Sequence, residues 1–355
     1  MDDGSLADLL RTTIDARVPG IAVTVVDADG VRGTAAAGAS DLKSGTAASP
    51  GMACPWFSMT KIVTATAAMR LHERGLLDLD EPVGALVPAT SVLRPAHDAA
   101  RITPRQLLSH SSGIANPIPV SWIHRPEEPA PELSAFVERL VRKHPKLRFQ
   151  PGTRSSYTNV GTLVLGAAIE RVSSTPFPEL IRREVLDPLG MGRTGFAYSD
   201  ETVRATGYHP RRSVMRFLLP RWVVGEPVGR WVTLRPFLVD GAPYGGLVGP
   251  VDDIGPFLCM HLREGEVNGV RLLEPDSVRE MREIRVRGKR YDLGLGWFRQ
   301  AKHRDADPPY VEHLGGGAGF WNVMRVYPTR GIGVAVMGNA TRYDVDEVAR
   351  LALLP

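Results

Sequence analysis

The chain opens with leucines at helical spacing. Leu6, Leu9, Leu10 and Ile14 share one face of a 3.6-residue repeat, which predicts an amphipathic first helix. Two β-rich runs follow, Ile21–Val26 and Val31–Ala37, and the Asp-Ala-Asp-Gly between them predicts a hairpin. A polar stretch, Gly38–Pro50, leads to Trp56-Phe57-Ser58. Met59–Arg74 then carries the pattern of a long helix closed by Gly75. Residues 75–240 read mainly as helices and loops. Pro104 stands where the first turn of a helix tolerates a missing N–H. Leu133–Val141 has one apolar face, and Val160–Val172 is apolar all round, as a fully buried helix is. Strand patterning returns in Gly294–Phe298, Trp321–Tyr327 and Ile332–Met337, the last two joined by the turn sequence Pro-Thr-Arg-Gly. A closing helix is predicted over Asp344–Leu354.

Two strands alone are marginal, so the N-terminal hairpin and the C-terminal strands need a common partner. The economical arrangement is an α+β fold: one antiparallel sheet built from both chain ends, flanked by helices. The expectation is a single catalytic domain over residues 1–355. Residues 1–75 and 241–355 form its sheet lobe, and residues 76–240 an inserted, mostly helical lobe.

The 355 residues are 43% hydrophobic and 23% charged, enough apolar material for a large core. The formal charge of +4 is carried mainly by arginines interspersed with acids, and no nucleic-acid-binding motif accompanies them, so no nucleic-acid partner is expected. Cys54 and Cys259 stand far apart, which argues against a disulfide framework or a cysteine zinc site. His72 and His110 have no partner at metal spacing and read as structural. Neither a metal nor a cofactor is expected. The acidic N-terminus lacks the basic and apolar regions of a signal peptide, and no run approaches the ~18 apolar residues of a membrane span. The expectation is a cytoplasmic chain without stable membrane insertion; its oligomeric state is not encoded in any pattern here.

Three stretches carry candidate chemistry. In Ser58-Met59-Thr60-Lys61, a helix starting near Ser58 would place Lys61 one turn on, beside the hydroxyl. The serine would gain the free N–H groups and dipole of a helix N-terminus. A second Ser-x-x-Lys, Ser40–Lys43, lies in a polar loop with no helical periodicity to hold its side chains together, and is rejected. Tyr157-Thr158-Asn159 follows a loop and precedes the buried helix, so it sits on a rigid edge. A tyrosine becomes a base only where a neighbouring cation lowers its pKa from ~10, which Lys61 is expected to supply. Asn159 offers a donor and an acceptor for a substrate carbonyl or for Lys61. His313-Leu314-Gly315-Gly316-Gly317 is rich in glycine, which lets another molecule approach the backbone closely.

In this order and at this spacing, the three stretches resemble the serine β-lactamase/DD-peptidase superfamily, specifically its class C-like branch of D-aminopeptidases and family VIII esterases. Thr103–Gly113, Tyr244–Leu247 with Asp252-Asp253, and Gly333–Asn339 resemble further segments of that branch. The resemblance covers nearly the whole chain and implies a β-lactamase/transpeptidase-like fold with the site between sheet and helical lobe. It implies Ser58 as nucleophile, Lys61 and Tyr157 as its activators, and Asn159 as orienter of substrate or of Lys61. It also implies the backbone N–H groups of Ser58 and Gly316 as an oxyanion hole, with substrate contacts from His313, Leu314 and Gly315. The cycle so implied is attack on an ester or amide carbonyl, an acyl-enzyme on Ser58, and hydrolysis by water activated by Tyr157.

Two departures bear on substrate. His313 stands where class C β-lactamases have lysine, as in peptidase and esterase members. Leu314 stands where carboxylate-recognising members place Thr or Ser, and a lost hydrogen bond there costs an anionic β-lactam or D-alanine terminus ~1–3 kcal/mol. The expectation is therefore a carboxylesterase for small to medium neutral esters with an apolar part. An amidase, D-peptidase or weak β-lactamase, an acyltransferase, and a catalytically silent binding protein are the alternatives. Tyr208–Val224 alternates Arg211, Arg212, Arg216 and Arg221 with Met215, Phe217, Leu218, Leu219, Trp222 and Val223. It reads equally as a lid over the cleft, residues 208–224, or as a surface element with an apolar inner side, with a membrane-surface role as a third reading.

Overall fold

The run Gly20–Asp27 is apolar at almost every position because it faces a core on each side. The computed structural model describes residues 3–13, 17–213, 217–341 and 343–354. In it, Ile21, Val23 and Val25 enter one apolar cluster, and Ala22 and Val26 enter the other. This strand lies in a nine-stranded sheet. From one edge the order is Val286–Arg287, Tyr291–Leu293, Phe298–Gln300, Val311–Gly317, Phe320–Tyr327, Ile332–Gly338, Gly20–Asp27, Val31–Asp41 and Thr46–Ala47. Every neighbouring pair is antiparallel. The expected union of the chain ends is the pairing of Ile21 through Asp27 with Gly338 back to Ile332.

Asn339 fastens that union. Its Oδ1 accepts from Gly20 N at 2.6 Å, and its Nδ2 donates to the Ala39 carbonyl at 3.0 Å. Asp3–Thr13 and Val345–Arg350 cover one face of the sheet through Leu6, Leu10, Val345 and Val348. Thr60–Glu73 and Ile254–Leu262 pack on the other through Ile62, Met69, Phe257 and Leu258. Beyond them lie the Leu133–Lys143 and Asn159–Ser173 helices. No helix among the described residues is long and apolar enough to cross a membrane.

Several expected elements differ. Ile14, Met215 and Arg216 lie outside the described residues. The long helix runs Thr60–Glu73, preceded by a tight 3-10 turn at Phe57–Met59. Gly294–Phe298 is chiefly a turn, in which Gly294 N donates to the Trp297 carbonyl and Gly296 takes a φ of +86°; the strands lie on either side of it. The region between residues 75 and 240 is not only helical. It holds a three-stranded sheet of Gly207–Pro210, Trp231–Leu234 and Val224–Val228, hidden from a pattern reading by prolines, glycines and a strand irregularity. The predicted closing helix is a Val345–Arg350 helix followed by a short 3-10 turn.

Candidate active site

Ser58 sits in a turn that the surrounding chain holds from both sides. Asn322 Nδ2 donates to the Pro55 carbonyl at 2.9 Å, Trp56 N donates to the Leu247 carbonyl at 2.8 Å, and Thr60 Oγ1 accepts from Leu247 N at 3.2 Å. Phe57 has a φ of +48°, which an aromatic residue adopts only where its surroundings demand it. Its ring lies between Phe237 and Phe320, with centroids 6.2 and 6.4 Å away.

Lys61, in the first turn of the Thr60–Glu73 helix, places Nζ 3.1 Å from Ser58 Oγ. Nζ also donates to the Tyr244 carbonyl at 2.8 Å and lies 4.9 and 5.1 Å from the ring centres of Tyr157 and Tyr244. No carboxylate pairs with it among the described residues. Burial therefore holds its pKa well below that of an ordinary lysine. Burial disfavours the charged form of the amine, which donates to the Tyr244 carbonyl and faces the Ser58 hydroxyl.

Tyr157 reaches the same point, its hydroxyl hydrogen-bonded to that of Ser58. The electrostatics differ from expectation. A charged Lys61 would lower the phenol, but Lys61 is desolvated, and burial of the Tyr157 hydroxyl raises its pKa despite the hydrogen bond to Ser58. The phenol stays protonated. The loop His110–Asn116 cradles this residue: the His110 carbonyl accepts from Ser156 N, His110 Nδ1 accepts from Thr158 N at 3.3 Å, and Asn116 Oδ1 accepts from Asn159 N at 2.8 Å. Thr158 caps the following helix by accepting from Gly161 N. The His110 ring stacks on Tyr157 with centroids 4.4 Å apart, and burial, then Lys61, pushes its pKa down to about 3.

The glycine-rich stretch is a strand, Val311–Gly317, passing beside the serine turn. A Cβ at Gly315 would collide with the Trp56 carbonyl, one at Gly316 with the Trp321 ring, and one at Gly317 with the Phe57 ring. Gly316 and Ser58 line one cavity. His313 is buried, with Nδ1 2.8 Å from the Leu314 carbonyl, which makes Nδ1 the protonated nitrogen; Nε2 has no partner. Its ring lies 5.9 Å from that of Tyr157, and burial, then Lys61, holds it neutral.

Asn159 also lines the cavity, but its buried Oδ1 has no partner; the hydrogen bonds of Lys61 go to Ser58 and Tyr244 instead. The cavity, about 330 Å³, is otherwise mainly apolar: Trp122, Ile123, Phe237, Val239 and Trp321 line it, with Leu218 and Leu219 from the 208–224 segment. Leu314 is the one named residue not brought to Ser58. Strand alternation turns it to the opposite face, where it packs beside Trp321 against the second core. Two neighbours of the site, His110 and Tyr244, carry no sequence signal of a role. Each lies in a segment that resembled the family, and that was the clue available. No group of three or more His, Cys, Asp or Glu is placed to hold a metal ion among the described residues.

Known proteins resemble this chain in sequence and fold. An uncharacterized protein of Mycobacterium tuberculosis is 35% identical over 249 residues, 64% of this chain and 58% of the relative, so the chain spans little more than half of that relative's length. The D-alanyl-D-alanine-carboxypeptidase/endopeptidase AmpH of Escherichia coli is 24% identical over 79% of this chain and 69% of its own. The octameric penicillin-binding protein homologue from Pyrococcus abyssi superposes with a TM-score of 0.78 at 27% identity, covering 99% of this chain and 77% of that one. The fold is that of β-lactamases and transpeptidases. Residues 6–354 match the Beta-lactamase family model, and the chain belongs to the beta-lactamase family.

Proposed function

We propose that the chain is a serine hydrolase, a carboxylesterase that acylates Ser58 with small to medium, apolar acyl groups. The observation that carries this reading is the contact of a buried, unpaired amine, Lys61 Nζ, with Ser58 Oγ at 3.1 Å. Lys61 takes the hydroxyl proton as Oγ attacks the ester carbonyl carbon. The backbone N–H groups of Ser58 and Gly316 hold the resulting oxyanion. Collapse breaks the bond to the alcohol oxygen, which takes the Tyr157 proton, and the phenolate regains one from the Lys61 ammonium. Water then attacks the acyl-enzyme and gives its proton to Lys61; the carboxylic acid leaves, and Ser58 is reprotonated. Tyr157 thus acts as a proton carrier, not as the first base. Asn159 and His313 offer unpartnered buried atoms to substrate, and the apolar cavity suits an acyl chain, with Leu218 and Leu219 as the lid's contribution.

An amide reading has one specific support, the likeness to AmpH, named a carboxypeptidase/endopeptidase. Intact-mass analysis after a fluorophosphonate probe tests the shared step: wild type gains the adduct and Ser58→Ala does not. Labelling of both, or of neither, sinks the nucleophile assignment. Turnover of p-nitrophenyl butyrate well above that of nitrocefin is expected of the esterase; the reverse order favours lactam chemistry.

A further inference from the structure

Tyr157 also lines a second, larger hollow, a groove of about 800 Å³. One wall is the loop 148–156; the other is the 286–293 hairpin at the edge of the main sheet. The walls meet at Gly288, where a Cβ would come within 2.9 Å of Ser155 Oγ. Tyr291, on the hairpin, packs against Tyr157 with ring centroids 5.9 Å apart.

The groove is lined by Arg148, Arg154, Arg287, Lys289 and Arg290 and by no carboxylate. Elsewhere the chain pairs its arginines: Arg105 with Asp80 and Glu280, Arg193 with Asp252 and Asp253, Arg285 with Glu280 and Glu283. None of the groove's five cations has an ion-pair partner among the described residues. The hairpin's own acid, Asp292, is engaged by Arg304 and Arg299. A cleft lined by one sign of charge concentrates counter-ions of the other sign.

We propose that this groove is the leaving-group subsite, and that it takes an alcohol or amine bearing a carboxylate or a phosphate. The proposal rests on the reading of Ser58 as the acylated residue. The proton's path assigns the two halves. The leaving oxygen must reach the Tyr157 hydroxyl, so the rest of the leaving group extends past Tyr157 into the groove, while the acyl group stays on Ser58 in the apolar cavity. The substrate class is an amphiphile, an apolar acyl group joined to an anionic partner. The expected neutrality then holds only for the acyl half. The anion is met by guanidinium groups away from the scissile bond, where the missing hydroxyl at Leu314 has no bearing.

The test uses butyrate esters of three phenols bearing a para carboxamide, carboxylate or phosphate. The ratio of kcat/KM, anionic to neutral, is read in wild type, in Arg287→Ala/Lys289→Ala/Arg290→Ala, and in Arg330→Ala, a surface cation outside the groove. At low salt the wild-type ratio for at least one anion is expected to exceed that of the triple variant roughly tenfold, as one-signed clefts do. It should shrink in wild type at about 0.5 M salt, where the screening length is a few ångströms. The anion that gains identifies the ligand, and Arg330→Ala should match wild type. A wild-type ratio unmoved by salt and by the triple substitution, with the neutral ester still turned over, overturns the groove and leaves the esterase standing. If no ester is turned over and Ser58 is not labelled, the reading of Ser58 fails first and takes the groove with it.

Discussion

In the proposed mechanism Lys61 is a cation that becomes a base by its position. It is buried, its neighbours are two aromatic rings, a carbonyl and a hydroxyl, and no carboxylate stabilises its charge. The neutral form is the competent one, so activity should be lost as pH falls through a pKa lying below the ordinary 10.5. Arginine at this position stays charged at any working pH. Lys61→Arg is therefore expected to lower kcat/KM for p-nitrophenyl butyrate by roughly a thousandfold, the middle of the range for a lost general base. Activity within tenfold of wild type would remove Lys61 from the role. The sequence placed Ser58 beside Lys61 correctly because their spacing is local. It misjudged the sense of the electrostatics because desolvation depends on packing by Tyr157, Tyr244 and the glycine strand, which lie far away in the chain.

At the scale of elements, the Val311–Gly317 strand had a weak strand signal in sequence and is firmly anchored in the structure. Its glycines hide β-patterning, yet they are required because the Trp56 carbonyl, Phe57 and Trp321 occupy the space of side chains. Glu312 and Arg325, paired across neighbouring strands, hold it in place. Both are buried, with Arg325 Nη2 2.6 Å from Glu312 Oε2 and Arg325 also bonded to Asp346. Gln300 donates to the other oxygen of Glu312 at 2.8 Å. Removing Glu312 leaves the buried Arg325 with Asp346 as its remaining acid, and breaking a buried pair costs up to about 3–5 kcal/mol. Glu312→Leu should lose about that much in urea denaturation, and Glu312→Leu/Arg325→Met should recover part of it. A single variant as stable as wild type would show the pair to be idle. By contrast, the strands Gly20–Asp27 and Ile332–Gly338 were legible, since their apolar runs are continuous. The small sheet of residues 207–234 was not, its strands being broken by Pro210, Gly225 and Pro227.

Across the whole molecule, burial of neutral histidines links the fold to acidity. His110 and His261 are both pushed down to about 3 from 6.5, by burial first and then by Lys61 and Arg282 respectively. Below pH 6.5 the unfolded chain takes up protons on these rings, and the native state does not until near pH 3. Stability is thus complete above 6.5 and is lost as pH falls toward 3. His261 lies against Phe257 and Trp297 with neither ring nitrogen partnered, so an aromatic hydrocarbon fits its place. Urea midpoints measured from pH 7 to 4 should fall in wild type and fall less in His261→Phe. Parallel profiles would show that His261 does not contribute.

The meeting of the first strands with the last sets a timetable for synthesis. A ribosome delivers Ser58 and Lys61 early, but the Gly20–Asp27 strand waits for Ile332–Gly338, and Ser58 waits for Gly316. Until residues 311–338 have emerged, the serine of the proposed mechanism has no second amide to steady an oxyanion. Such long-range closure slows folding, so the two ends of the sheet are joined late.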